Sequence, residues 1–358
     1  MTRHSGSRFM LFLLIWYFLL IFSMPVFISA LRYLGVPMGF VSSPWFLVFT
    51  QLIGLLLPLG VWLAIRRENL NDFLPNMKLG MSNIIYVIAI SFFIQPAMMV
   101  VSGVTSLFVS NDVSEFVVEM AVQTPLIVLL LVVAVTPSIV EEVVFRGYIQ
   151  SQYKHFSIKK AAIINGIFFG IIHMNPHQFL YAFLMGVIFA YMVHYTRSIR
   201  AAVLSHFVIN GGQVLLMFVS ARYAEAQGVY TAAVEEIVIP FGEAYITIGE
   251  EHAMLFAIVS ALFFAVFATP CAVILFRAFV SYNRARNIKY DMMQAQVLAI
   301  ETEASEGNSE EGVVPETAIS DVTAPEEPPG RIIDGFTIAV FVLFMLWMAL
   351  NIIVERAL

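Results

Sequence analysis

Apolar positions fall in long unbroken blocks along this chain, with little of the two-residue alternation that marks strands. Nine blocks are candidates for membrane-spanning helices, at about 9–31, 45–65, 84–110, 126–150, 161–175, 176–195, 199–220, 253–279 and 332–353. A helix needs about 20 predominantly apolar residues to cross roughly 30 Å of hydrocarbon. The fifth block is shorter than the roughly 17 residues usually required, so it either extends back through Phe156 to Lys160 or packs inside the bundle. The first has the charges of a signal peptide (Arg3, Arg8) and a small-residue exit (Ile28-Ser29-Ala30), yet its apolar run from Phe9 to Leu31 is too long for a cleaved segment. It reads as a retained span. No repeat of fixed period is seen, and the expected fold class is all-α, a polytopic transmembrane helical bundle of about nine spans.

The polar positions between the blocks predict how the chain is threaded. Arg66, Arg67 and Lys78 follow span two, Lys154, Lys159 and Lys160 follow span four, and Arg197 and Arg200 follow span six, whereas 111–125 and 221–252 are poor in base. Basic short loops stay inside, so the N-terminus is expected in the cytoplasm and the C-terminus outside the cell membrane. The resulting organisation is spans one to three (1–125), a core of spans four to seven (126–220), an outer acidic loop (221–252), span eight (253–279), an inner segment (280–331) and a last span (332–358). Within the outer loop, Val234-Glu235-Glu236-Ile237-Val238-Ile239-Pro240 has the mixture to fold over a mouth, though a solvated connector is the simpler reading. In the inner segment, Arg277, Arg284, Arg286 and Lys289 form a basic collar. Ala285, Ile288, Met292, Ala295 and Ala299 recur there at helical spacing, which predicts a helix along or out of the membrane surface with its bases near anionic headgroups.

Composition agrees with this picture: 60% hydrophobic and 12% charged residues, with a mean hydropathy of +0.85, against roughly 25% charged in soluble domains. The formal net charge of -6 is local, since nine acids lie within 301–327, a stretch without Lys or Arg. That pattern argues against nucleic-acid partners. Rich in Ser, Thr and Pro as well, residues 301–331 are expected to be disordered, with 301–327 a candidate protein-docking segment. The single cysteine, Cys271, allows no intrachain disulfide and reads as a small hydrophobe.

Against this apolar background the sequence Pro137-Ser138-Ile139-Val140-Glu141-Glu142-Val143-Val144-Phe145-Arg146 stands out. Each acid near a bilayer centre costs about 2.5 to 3.5 kcal/mol on lenient scales. Glu142 and Arg146, four apart, share a helix face and are expected to form a structural ion pair, while Glu141, about 100° round the helix, is expected to face a wet cavity. His173 closes span five, and His206 and Asn210 share one face of span seven. At 1.5 Å per residue Glu141, His173 and His206 lie roughly 16, 18 and 10 Å from the inner ends of their helices, which permits a shared pocket. Two chemistries fit the set. In one, a buried carboxylate, Glu141, takes a proton from water beside His173, and His206 with Asn210 donates to an oxyanion. In the other, Glu141, His173 and His206 hold zinc with a water in the fourth position. His4, His155, His177, His194 and His252 read as structural or solvated.

Glu-Glu-Xaa-Xaa-Xaa-Arg at 141–146, Phe-Xaa-Xaa-Xaa-His at 169–173 and His-Xaa-Xaa-Xaa-Asn at 206–210, in this order on successive spans, resemble the CAAX prenyl protease and bacteriocin-processing (CPBP, Abi-type) intramembrane protease family. Phe183 and Gly186 look similar as well, and Thr196-Arg197-Ser198 stands where members commonly have Thr-Gly-Ser. The resemblance implies a CAAX-protease-like core and an endopeptidase acting on membrane-bound or lipidated proteins or peptides, glutamate-dependent or zinc-dependent. It implies Glu141 as activator of water, assisted by His173, with His206 and Asn210 on the oxyanion. Rival readings of the same polar cavity are a proton- or ion-coupled transporter and a non-catalytic membrane scaffold or immunity protein. The signatures of other intramembrane proteases are missing from the sequence.

Overall fold

A computed structural model describes residues 5–35, 38–41, 43–109, 117, 120, 121, 123–226, 236–241, 244–306 and 332–357. Each apolar block has become a helix: α1 (Ser5–Tyr33), α2 (Trp45–Arg66), α3 (Met81–Ser106), α4 (Leu126–Gln152), α5 (Ile158–Ile172), α6 (Pro176–Thr196), α7 (Ile199–Ala226), α8 (Glu250–Glu306) and α9 (Gly335–Ala357). Among the described residues seven of these are long and apolar enough to cross a membrane; α5, at 15 residues, is not. The chain is a multi-pass membrane protein with an all-α bundle, plus one antiparallel hairpin, β1 (Glu236–Phe241) and β2 (Ala244–Gly249). That hairpin lies in the segment expected to be a connector; Val234 and Glu235 fall outside the described residues.

The short helix α5 is the centre of the packing. Ten of its residues are buried, which matches the alternative that it packs inside the bundle. It lies against α6 through two glycines four apart: a methyl on Gly166 would meet the Phe183 carbonyl at 2.8 Å, and one on Gly170 the Phe179 carbonyl at 2.8 Å. Where lipid replaces water, helices associate by such close backbone approach. Gly166→Ala or Gly170→Ala is therefore expected to cost about 1 to 3 kcal/mol by overpacking, read as a lower unfolding temperature in detergent. Around α5, one core gathers Phe9, Met10, Leu13 and Leu14 of α1, Leu55 and Leu59 of α2, and Val140, Val144 and Phe145 of α4. Val340 and Phe344 of α9 complete it. Asp334 caps α9 by accepting from the Thr337 N–H at 2.7 Å and also takes a hydrogen bond from Ser7 Oγ at 2.7 Å, fastening α9 beside the start of α1.

In the inner segment the helix expected from the basic collar is present and continues span eight without a break: α8 runs from Glu250 to Glu306, with Pro270 inside it, and packs along α3. Its polar residues are spent on protein. Arg286 donates to the Thr196 carbonyl at 2.8 Å, Asn287 to the Tyr195 carbonyl at 3.0 Å, and Arg284 to the Tyr195 hydroxyl at 3.2 Å. The carbonyls at the end of α6 lack helical partners, and these side chains satisfy them. The acidic stretch, expected to be disordered, is helical as far as Glu306; residues 307–331 fall outside the described residues.

The same contact explains the conformation of Arg197. It adopts a left-handed conformation, φ 52° and ψ 32°, at the end of α6, which costs a non-glycine residue about 1 kcal/mol or more. Its guanidinium forks onto Asp291 of α8 at 2.6 and 2.8 Å, and those hydrogen bonds hold it above its ordinary pKa. The fork offsets the strain. Asp291→Ala is expected to lower the unfolding temperature of the wild type and to leave that of Arg197→Gly unchanged, because glycine removes both the strain and the partner.

Candidate functional site

Helix α4 carries the acids between two wide turns. Leu130–Val135 and Val143–Ile149 are π-helical, and Thr136–Glu142 between them is α-helical. A π turn displaces the hydrogen-bond register and leaves carbonyls short of their usual donors. Two side-chain amides supply them: Asn210 Nδ2 donates to the Val133 carbonyl at 3.2 Å, and Asn165 Nδ2 to the Phe145 carbonyl at 2.8 Å. Helices α5 and α7 are thereby registered against the acidic turn of α4.

Glu142 is fully buried and shares one oxygen between two cationic-capable groups. Its Oε1 accepts from Arg146 Nη1 at 3.1 Å and lies 2.9 Å from His206 Nδ1. Arg146, also buried, donates through Nη2 to the Gly186 carbonyl at 3.1 Å. Its guanidinium carbon sits 4.3 Å from the ring centre of Phe169 and 5.1 Å from that of Phe189. The pairing expected at i and i+4 is in place, and the geometry adds His206, whose ring Glu142 orients through Nδ1. Nε2 is then the nitrogen left for other chemistry.

Phe169 is the hub that brings the imidazoles together. Its ring centre lies 5.1 Å from that of His173 and 6.0 Å from that of His206, and Phe189 lies 5.3 Å from His206 on its other side. His173 follows the last turn of α5, with Nδ1 2.7 Å from the Phe169 carbonyl. A carbonyl can only accept, so Nδ1 carries the hydrogen and Nε2 is left as an acceptor. The turn after it is held from both sides: Asn175 accepts from the Gln178 N–H at 3.1 Å and caps α6, while Trp347 of α9 donates to the Met174 carbonyl at 2.8 Å. Asn210 uses one amide hydrogen on Val133, and the second remains for another acceptor.

Glu141, 6% exposed, is reached by a residue the sequence reading passed over. Gln51 of α2 donates from Nε2 to Glu141 Oε1 at 3.1 Å. The signal was present, since Gln51 is a carboxamide inside an apolar span and falls under the same rule that marked the acids. Asn165 carries no signal of its partner, because its role runs through the backbone carbonyl of Phe145 on another helix. Tyr17 of α1 and Tyr181 of α6 lie within electrostatic reach of Glu141. Glu141 Oε2, Glu142 Oε2, Arg146 Nε and Gln51 Oε1 are buried without a partner among the described residues. Buried polar atoms are nearly always paired, so four orphans in one place mark a seat for a polar ligand or solvent.

Among the described residues no three His, Cys, Asp or Glu side chains are arranged to hold a metal ion. Each imidazole holds Nδ1 on a protein acceptor and keeps Nε2 for a substrate, solvent or metal. Of the remaining histidines, His4 falls outside the described residues. His177, buried at the start of α6, has Nε2 2.8 Å from Ser106 Oγ. His194 lines a cavity of about 320 Å³ together with Arg146, Lys154 and Arg197.

Helices α4, α5 and α7 thus carry two buried acids, two imidazoles and a carboxamide inside a bundle of apolar helices, and the family match to this segment supports a membrane protease. Residues 123–212, a quarter of the chain, match the family model described as type II CAAX prenyl endopeptidase Rce1-like, and this segment is a CAAX-protease-like domain, consistent with the CPBP family. No curated protein and no solved structure matches the chain. The matched residues include the acids, both histidines and Asn210, but not Gln51.

Proposed function

We propose that this protein is an intramembrane endopeptidase of CPBP type, hydrolysing a peptide bond in a membrane-anchored or lipidated protein or peptide. The observation that carries this reading is the Glu141 carboxylate. One of its oxygens is held by Gln51, and the other is buried and unpartnered beside a fully built polar cluster. In the proposed reaction Glu141 Oε2 takes a proton from water as the water oxygen attacks the scissile carbonyl carbon, and His173 Nε2 orients the water by accepting a hydrogen bond from its other hydrogen, which stays on the oxygen. The carbonyl oxygen becomes an oxyanion and receives hydrogen bonds from the second amide hydrogen of Asn210 and from Nε2–H of His206 in its imidazolium form, the form whose Nδ1–H also donates to Glu142. When the C–N bond breaks, Glu141 returns its proton to the leaving amine. Glu142 and Arg146 do not touch substrate in this scheme; they hold His206 and the helix face in place.

The orientation proposed with it puts the basic end of the bundle, with Arg66, Lys154 and Arg200, in the cytoplasm. The N-terminus is then inside and the C-terminus outside the cell membrane. The test is cleavage by purified wild-type protein in lipid nanodiscs, using a fluorogenic peptide with a farnesylated Cys-aliphatic-aliphatic-X ending, an acyl-anchored peptide and the same peptide without an anchor. An anchored probe is expected to be cut and the free one spared, and the same assay with and without a chelator distinguishes glutamate-dependent from zinc-dependent cleavage. Failure of the wild type to cut any anchored probe would overturn the proposal.

A further inference from the structure

The site described above draws its motif residues from α4, α5 and α7, all within the matched segment, yet its proposed base is gripped by a side chain from α2. Gln51 is half-buried in an apolar helix, where a carboxamide is costly unless it is used. Its contact is chemically unambiguous. A carboxylate has only acceptors, so the amide presents its nitrogen, and the 3.1 Å separation between Gln51 Nε2 and Glu141 Oε1 is a hydrogen bond to a charged acceptor. Helix geometry points the same way. Three π-helical segments occur among the described residues, at Leu52–Leu56, Leu130–Val135 and Val143–Ile149. The first begins immediately after Gln51, and the other two bracket Glu141 and Glu142. Such wide turns re-aim side chains and recur at functional sites.

Resting on the endopeptidase reading, we propose that Gln51 is a positioning residue for Glu141. By occupying Oε1 it stops the carboxylate from rotating about its terminal bond and leaves Oε2 as the single oxygen that meets the reacting water. A role of this kind acts on the chemical step and leaves substrate binding alone, because Gln51 reaches the reaction only through Glu141. It also gives the second span, outside the matched segment, a part in the site.

The experiment compares wild type, Glu141→Gln, Gln51→Met and Gln51→Asn in nanodiscs, with the anchored fluorogenic peptide that the wild type cuts, each preparation normalised to its folded fraction by size exclusion and thermal melt. Methionine keeps the length and loses the donor; asparagine keeps the amide one methylene short. Gln51→Met is expected to lower kcat about 10- to 100-fold with KM within threefold of wild type, and Gln51→Asn to fall between the two. Wild-type kcat in Gln51→Met would overturn the assignment, as would a loss expressed in KM. Should Gln51→Met fail to fold, an unimpaired kcat in Gln51→Asn overturns it, and a reduced kcat at unchanged KM supports it. An inactive wild type sinks the endopeptidase reading and this inference together. An active wild type with a dead Glu141→Gln and an unaffected Gln51→Met sinks this inference alone.

Discussion

Glu141→Gln is expected to lower kcat by about 10² to 10⁴, the range that general-base catalysis contributes, while the protein folds and binds substrate as before. Glutamine keeps the volume of the side chain and keeps an oxygen that Gln51 Nε2 can still reach, so the bond seen at 3.1 Å survives. What is lost is the basic oxygen. The buried Oε2, without a partner among the described residues, is replaced by an amide nitrogen that cannot accept a proton from water. Steady-state kinetics on the anchored peptide check this, with a thermal melt to establish folding. Undiminished cleavage would move the base elsewhere, and Glu142 is poorly suited to take over because its Oε1 is already shared between Arg146 and His206.

Arg146→Ala is expected to destroy the fold before it affects chemistry. The guanidinium is the counter-charge of a fully buried carboxylate, a donor to the Gly186 carbonyl, and the filling between Phe169 and Phe189. Removing one partner of a buried pair typically costs about 3 to 5 kcal/mol, because the other is left as an uncompensated charge. Folded yield after detergent extraction should collapse. Arg146→Lys should recover little of it, since an ammonium cannot reproduce the planar fork or stack on Phe169. The double variant Glu142→Gln with Arg146→Met removes both charges and is expected to regain much of the yield, though not the activity, because Glu142 also orients His206. Normal yield and melting temperature in Arg146→Ala would refute the ion-pair role.

Much of the architecture was legible because its cause is local. An apolar block of about 20 residues has one favourable solution in a bilayer, a helix, and helices stand at all nine blocks. The i and i+4 spacing of Glu142 and Arg146 is likewise a property of one helix, and their contact follows from it. The hairpin in 221–252 was missed because Glu236-Ile237-Val238-Ile239-Pro240-Phe241 was read against its acidic loop rather than for its β-branched run. The helix through 284–291 was legible from its spacing, but the partners of its polar residues were not, because Tyr195, Thr196 and Arg197 lie about ninety residues earlier in the chain.

By itself the sequence determined that this is a bundle of membrane helices, and it singled out Glu141, Glu142, Arg146, His173, His206 and Asn210 as the residues whose burial demands a reason. Cost of burial is a property of each side chain and its flanking text, so no tertiary knowledge is needed to see it. Only the tertiary structure decided how those costs are met: that Glu142 is shared with His206, that Phe169 gathers both imidazoles, that Gln51 reaches across from α2, and that Asp291 holds Arg197 in a glycine's conformation. Each of these is a contact between segments far apart in the chain, set by helix register and by where wide turns displace it. Periodicity along one helix carries no information about the register of its neighbour.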